Sequence, residues 1–237
     1  MRIDIYSDVV CPWCWIGKHR FARGLALLGE AAPHVDVHWQ PFMLDPDADA
    51  TPLPLREALA RKFGGPERTA QLLAQTQSAA NEEGLPMDFD RGQVRVTTLH
   101  AHRLMWLAAR EGVQDAIGEA LFRAHFAQGR NLADPATLIE AGAAGGLTAE
   151  RVLALLGSDE GVAEVQEGLR AAQELGIQSV PTFVIDGRYA ISGAQSPEAF
   201  AQALGQIAAE QGAVGDGDPS AGPTEAGTGC GPDGCRV

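Results

Sequence analysis

Between residues 53 and 175 no segment alternates apolar and polar residues in the manner of a strand. Ala, Leu, Glu, Gln and Arg recur there at helical spacing, broken by Gly and Pro. Any sheet must therefore be assembled from the two ends of the chain, across a long helical stretch. Within that stretch, helices are expected over 53–63, 66–83, 97–111, 114–128, 135–144, 148–156 and 159–175. Pro66 and Pro135 stand at first-turn positions, where the missing N–H has no intrahelical partner to lose.

The ends supply the strands. Arg2-Ile-Asp-Ile-Tyr-Ser7 alternates, then runs through Asp8-Val9-Val10 into Cys11, and the apolar residues from Pro12 to about Gly29 keep helical spacing. Val35, Val37 and Trp39 alternate with Asp36, His38 and Gln40, giving a second strand that can lie parallel to the first in a βαβ unit. Far downstream, Thr182–Ile185 and Tyr189–Ser192 flank Asp186-Gly187-Arg188, an antiparallel hairpin signal because Gly accepts positive φ. Ser196-Pro197 reads as the N-cap and first turn of a last helix reaching about Gln211. The expected fold is α/β, a βαβ…ββα core from 1–52 and 176–211 carrying an all-helical insertion at 53–175. Residues 212–237 hold mostly Gly, Pro, Asp, Ser and Thr and are expected to form a flexible tail ending in Cys230-Gly-Pro-Asp-Gly-Cys235.

Composition narrows the partners. With 18 Lys+Arg against 31 Asp+Glu, the net charge of −13 opposes broad attraction to nucleic acid or anionic lipid. No run approaches the roughly 18 to 20 apolar residues of a membrane helix, and the N-terminus lacks signal-peptide character, so a cytoplasmic protein is expected. In that compartment structural disulfides are rare, which leaves catalytic, redox or metal roles for Cys11, Cys14, Cys230 and Cys235.

Cys11-Pro12-Trp13-Cys14 lies between a strand and a helix. Disulfide exchange needs an attacking thiolate and a second thiol near enough to release the mixed disulfide, and i, i+3 spacing on a helix places both sulfurs on one face. Cys11 falls at the cap, where unpaired N–H groups and the positive end of the helix dipole favour a thiolate, whereas Cys14 falls inside the first turn. Pro12 fits the first helical position. The same spacing occurs in zinc sites, but no second C-x₂-C or H-x₃₋₅-H follows nearby, which favours redox chemistry. Pro181, just ahead of a strand, is by itself compatible with an ordinary trans strand-start residue.

Taken in order, Ser7-Asp8-Val9-Val10-Cys11-Pro12-Trp13-Cys14, Ala101-His102-Arg103-Leu104, Ile177-Gln178-Ser179-Val180-Pro181-Thr182-Phe183 and Ser192-Gly193-Ala194-Gln195 resemble the thioredoxin superfamily. Within its DsbA-like branch the similarity is to FrnE-like dithiol-disulfide isomerases, over about residues 2 to 211. The resemblance implies a thioredoxin-like core, Cys11 as attacking thiol, Cys14 as resolving thiol, and Pro181 as a cis residue facing them. Pro12 and Trp13 support the pair, and the exposed backbone of Val180 pairs with an extended substrate segment. His102 and Gln195 are candidates for the substrate groove, although His102 reads more readily as a satisfied structural histidine. Strongly oxidising relatives carry His between the cysteines. Trp13 supplies no imidazole donor or potential cation, which implies a less oxidising couple and isomerase or reductase work. Protein disulfides are the implied substrates, glutathione or a thioredoxin-type reductant possible partners, and no metal or cofactor is required.

Other features carry less. His100 and His102 are two residues apart on one helix and cannot share a face as metal ligands. Trp15, Trp39, Trp106 and Phe42 read as core or groove wall, and Asp45-Pro-Asp-Ala-Asp49 as a solvated loop lacking the Gly and distal Glu of a calcium site. Gly231 to Gly234 form a turn-prone bridge that could pair Cys230 with Cys235. An 18-residue linker from Gly212 reaches on the order of 25 Å, so a relay to Cys11 competes with metal binding or no role. Two rivals remain. Kappa-type glutathione transferases and 2-hydroxychromene-2-carboxylate isomerases share this architecture but generally place Ser where Cys11 stands; the other rival is a non-catalytic holdase or thiol metal-binding module.

Overall fold

The computed structural model describes residues 1–215. Its first unit is β1 (Arg2–Ser7), α1 (Pro12–Leu27) and β2 (Asp36–Pro41), with a 3₁₀ turn at Gly29–Ala31. Then come β3 (Leu53–Pro54), α2 (Leu55–Phe63), α3 (Pro66–Glu82), β4 (Val94–Arg95), α4 (Leu99–Arg110), α5 (Gln114–Phe126), α6 (Pro135–Ala144), α7 (Ala149–Leu156) and α8 (Val162–Glu174). The chain returns to the core as β5 (Thr182–Ile185), β6 (Tyr189–Ser192) and α9 (Pro197–Gly215).

The main sheet has the order β2-β1-β5-β6. β1 runs parallel to β2, with Ile5 opposite Trp39, and antiparallel to β5, with Ile5 opposite Phe183. The β5–β6 hairpin turns where expected, through Asp186 at φ 49 and Gly187 at φ 66. Asp186 tolerates the left-handed region and also anchors the sheet, its carboxylate accepting from the Arg2 N–H at 2.6 Å and from Gln211 Nε2 at 2.6 Å.

Ile3, Ile5, Phe183 and Ile185 are all buried, because helices cover both faces of the central strands. On one face α1 packs along α9, where Phe21, Phe183 and Phe200 meet with centroids 4.8 to 5.7 Å apart. Gly24 is what permits that approach: a Cβ there would lie 2.6 Å from Phe200 Cβ. Near the start of α1, Trp15 stacks on Phe122 and Phe126 of α5, joining the core to the inserted helices, and Trp39 packs edge-on against Phe122. Each such buried aromatic contributes on the order of 2 kcal/mol or more by area alone.

Two expectations need correction. The stretch expected to be wholly helical contains β3 and β4, an antiparallel pair with Leu53 opposite Arg95, so its first helix starts at Leu55 rather than 53. Two-residue strands are too short to show alternation, and they are fixed by tertiary contacts: Arg95 forms a two-pronged ion pair with Asp45, so the acidic run includes a loop anchor as well as solvated residues. The last helix continues to Gly215, past the expected end at Gln211 and into the segment assigned to the tail. Cys230 and Cys235 lie outside the described residues.

Candidate active site

Strand β1 delivers the chain to the site and helix α1 begins there. Cys11 is the N-cap, at φ −92 and ψ 111, and Pro12 opens the helix, so the missing proline N–H interrupts no backbone bond. The turn is tied by Cys11 N–H to the Asp8 carbonyl at 3.0 Å and by Cys14 N–H to the Cys11 carbonyl at 3.1 Å. Both thiols are free and buried, Cys11 at 4% exposure and Cys14 at 1%. Pro12 and Trp13 are half-buried, with Trp13 packed against the core.

The second half of the site comes from the segment before β5. The Val180–Pro181 peptide is cis, and Cys11 Sγ donates to the Val180 carbonyl at 3.6 Å across 169 residues of sequence. Gly17 makes the juxtaposition possible: a Cβ on this helical residue would fall 2.9 Å from Pro181 Cγ and 3.4 Å from Ala194 Cβ. The loop is held by Thr182 Oγ1 donating to the Ser179 carbonyl at 2.8 Å and by Gly193 N–H donating to the Pro181 carbonyl at 2.8 Å. Arg20 of α1 adds a bond to the Ala194 carbonyl at 3.0 Å. Gln195 is exposed, and its amide donates back to the Ser192 carbonyl at 2.7 Å within its own turn.

The two thiols differ in environment. Burial, then the neighbouring Cys11 thiol, push the Cys14 thiol well above its ordinary range, while the Ser7 hydroxyl and the Asp8 backbone pull more weakly the other way. Reduced Cys14 is therefore protonated near neutrality, and it becomes a nucleophile only when that proton leaves.

Beneath the pair lies a set of buried polar side chains. Asp8, 1% exposed, accepts from Leu44 N–H at 2.8 Å through Oδ2, and its Oδ1 lies 3.4 Å from Nε2 of the buried His102. Neither of those two atoms makes a properly aligned hydrogen bond among the described residues. His125 on α5 is also buried with both ring nitrogens unpartnered; burial lowers it to about 4, despite the opposing influence of Asp8. His102 was thus visible as a motif residue, but its placement is internal, against Asp8. His125 had no local signal, and the one clue to Asp8 was a carboxylate interrupting an otherwise apolar approach to Cys11.

The rest of the Ala101–Leu104 stretch is structural. Arg103, buried, donates to the carbonyls of Glu160, Leu155 and Ser158 at 2.5 to 2.8 Å, and its Nη1 lies 3.0 Å from His100 Nδ1, so the two α4 histidines diverge. Trp15 and Trp39 belong to the core, and Trp106 is half-buried beneath Arg110. No group of three or more metal-ligating side chains is found among the described residues, and no described helix is long and apolar enough to cross a membrane.

Comparison with solved structures places this geometry. The probable DsbA oxidoreductase of Streptomyces coelicolor is 36% identical, superimposes with a TM-score of 0.82, and matches 100% of this chain and 99% of its own. A 2-hydroxychromene-2-carboxylate isomerase shares the fold at 16% identity and a TM-score of 0.62, covering 90% of this chain and 99% of its own. The cytosolic disulfide reductase DsbM of Pseudomonas aeruginosa does so at 19% identity and 0.60, covering 90% and 100%. In sequence, the DSBA-like thioredoxin domain matches residues 2–205, and with the Cys11–Cys14 turn set against Val180–Pro181 the chain belongs to that family.

Proposed function

We propose that the protein is a thiol-disulfide oxidoreductase of the FrnE-like kind, acting on protein disulfides as an isomerase or reductase. One observation carries the reading: a free Cys11 thiol stands at the N-terminus of α1 against the Val180 carbonyl, with a second, proton-holding thiol, Cys14, one turn behind it. Cys11 attacks a substrate disulfide, releasing one substrate thiol and leaving a mixed disulfide. Cys14 then attacks Cys11 Sγ, the Cys11–Cys14 disulfide forms, and the second substrate thiol departs. An extended substrate segment docks along the Val180 backbone, and glutathione or a thioredoxin-type reductant in the cytoplasm restores the dithiol. Retention of Cys11 where the isomerase and transferase rivals generally place Ser supports this chemistry over theirs.

Insulin reduction and trapping test it. Cys11→Ser abolishes turnover, a loss of at least about 10³-fold, whereas Cys14→Ser still attacks and accumulates mixed disulfides visible by mass spectrometry. Equal trapping by both single variants would overturn the assignment of roles.

A further inference from the structure

Val180 and Cys11 are 169 residues apart in the chain, so their contact depends on what sets the cis-proline loop against α1. One face of that helix does so. Gly17, Arg20 and Gly24 are spaced i, i+3 and i+7 and share it. At the two ends of this stripe the missing side chains let neighbours close in: Gly17 admits Pro181 and Ala194, and Gly24 admits the Pro197 carbonyl, which would lie 2.9 Å from a Cβ. Between them Arg20 supplies the polar contact, Nη1 donating to the Ala194 carbonyl at 3.0 Å. Ala194 follows Gly193, whose φ of 80 turns the chain and whose N–H donates to the Pro181 carbonyl at 2.8 Å. Arg20 is thus linked to the Val180–Pro181 peptide by two hydrogen bonds joined through Gly193 and Ala194.

Arg20 is held in its turn by the end of α3. Its Nε donates to Glu83 Oε1 at 2.8 Å, with the Glu83 side chain 3% exposed and that of Arg20 16%, and its Nη2 lies 3.5 Å from the Glu82 carboxylate. The guanidinium is a planar fork, so fixing Nε on a buried carboxylate also aims Nη1. A lysine ammonium carries the same charge as a single point on a flexible stem and loses that aim. Arg23, one turn further along α1, donates to the other Glu83 oxygen at 2.7 Å, but its side chain is mostly exposed and makes no bond to the loop among the described residues. Two arginines therefore share one acceptor, and only one of them reaches the site.

We propose that Arg20 is a positioning residue for protein substrates: fixed on Glu83, it holds the Ala194 carbonyl and, through Gly193, keeps the Val180–Pro181 backbone where a substrate segment can pair with it while its disulfide reaches Cys11. This rests on the oxidoreductase reading and deepens it, by naming a residue that favours protein disulfides over small ones. A small disulfide without peptide groups needs only the Cys11 sulfur and reacts whether or not the loop is fixed. A protein segment must meet the Val180 backbone and Cys11 together, so a loop free to shift spends less time in the geometry that binds it, and apparent affinity falls by that fraction. Arg20 touches neither sulfur nor substrate, and the exchange at Cys11 and Cys14 is unchanged by it.

The test uses the full chain with Cys230 and Cys235 changed to Ser throughout, so that only the active-site thiols report. Reduced protein is mixed with excess insulin over a range of concentrations, or with hydroxyethyl disulfide, and formation of the Cys11–Cys14 disulfide is followed by quenching, alkylation and mass spectrometry. Arg20→Lys is expected to raise the half-saturating insulin concentration about fivefold, the scale of one hydrogen bond. Its limiting rate at saturation, and its rate constant with hydroxyethyl disulfide, should stay within about twofold of the parent. Arg20→Gln should behave alike and serves if the lysine variant fails to fold. Arg23→Gln, which takes a donor from the same Glu83 but none from the loop, should lower thermal stability and leave half-saturation unchanged. Half-saturation at the parent value in the folded Arg20 variants, an equal rise in Arg23→Gln, or an equal loss with both disulfides would overturn the positioning role and leave the oxidoreductase reading intact. A parent protein that leaves insulin untouched would remove both.

Discussion

Toward the C-terminal half of α1, Arg20 Nε and Arg23 Nη1 donate to the two oxygens of the buried Glu83 at 2.8 and 2.7 Å; around its first turn, Ser7 Oγ, Asp8 Oδ1 and both nitrogens of His125 have no well-aligned partner among the described residues. One helix thus separates a region where buried polarity is satisfied from one where it is not. Burial pushes the Glu83 carboxyl up, yet the two guanidinium bonds outweigh it and hold the group below its ordinary range. Glu119 repeats the pattern at the α5 side of α1: burial opposes its ionisation, but bonds from His19, Lys18 and Trp15 Nε1 carry it down to about 2. The scaffold surrounds its buried carboxylates with donors. The site leaves its polar groups short of partners, as functional sites do more often than scaffolds.

The largest effect expected from this contrast is acid sensitivity at His125. An unfolded chain protonates this histidine near 6.5, the folded protein only near 4, because burial disfavours the cation more than Asp8 and the Arg130 backbone favour it. Between those values the unfolded state binds more protons, so stability falls as pH drops from 6.5 to 4 and changes no further below that. The full displacement corresponds to about 3 kcal/mol. Denaturant unfolding across that window should show the decline, and His125→Gln should flatten it by that amount. His100, also lowered by burial and by Arg103, adds to the same window, so the difference in slope between parent and variant is the quantity to read. Glu119 enters only below 4.5, where its contribution is lost as pH falls toward 2. An unchanged slope would mean that His125 is hydrated in solution and that the contrast between the two regions is weaker than its burial indicates.

Removing Glu83 probes the satisfied side. Glu83→Ala leaves Arg20 and Arg23 without their shared acceptor, and loss of one partner from a buried pair costs about 3 to 5 kcal/mol in general. Arg23 is open to water and can rehydrate, which reduces the expected cost to about 2 kcal/mol. Arg20 also holds the Ala194 carbonyl beside Pro181, so the loss should be accompanied by slower turnover at constant Cys11 reactivity. A cost below about 0.5 kcal/mol would place this network among ordinary surface pairs.

These two regions also mark where sequence reasoning reached and where it stopped. The Asp186-Gly187 turn, the proline-led starts of α3 and α6, and the Ser196 cap of α9, whose Oγ accepts from Ala199 N–H at 3.2 Å, are local devices and were legible as such. The order of strand, Cys-x-x-Cys and helix was legible for the same reason, since neighbouring residues set it. Asp8, His102 and His125 come together from the turn after β1, from α4 and from α5, and nothing in their local spacing joins them. A cavity of about 140 Å³ lined by Trp39, His102 and Gly168 is likewise a product of how α4 and α8 settle against β2. The β3–β4 pair was missed because its two-residue strands depend on a partner 40 residues away rather than on their own alternation.

The smallest effect concerns Trp13, which sits between the cysteines at the boundary of the two regions and is half-buried against the core. Trp13→His exchanges an indole for an imidazole that can present a donor or a cation to the adjacent sulfur when the pair is reduced. Such a group stabilises a thiolate on the reduced side of the couple more than the disulfide, in which no sulfur carries charge. Loss of indole packing destabilises oxidised and reduced protein alike and cancels from their difference to first order. The reduction potential against glutathione should therefore rise by about 30 mV, equivalent to about 1.4 kcal/mol for a two-electron couple, even as overall stability falls. If the potential stays fixed or drops while the fold is retained, the position between the cysteines does not set the poise of this pair. The buried surroundings of Cys14, rather than the residue beside Cys11, would then be where the balance between oxidation and reduction is decided.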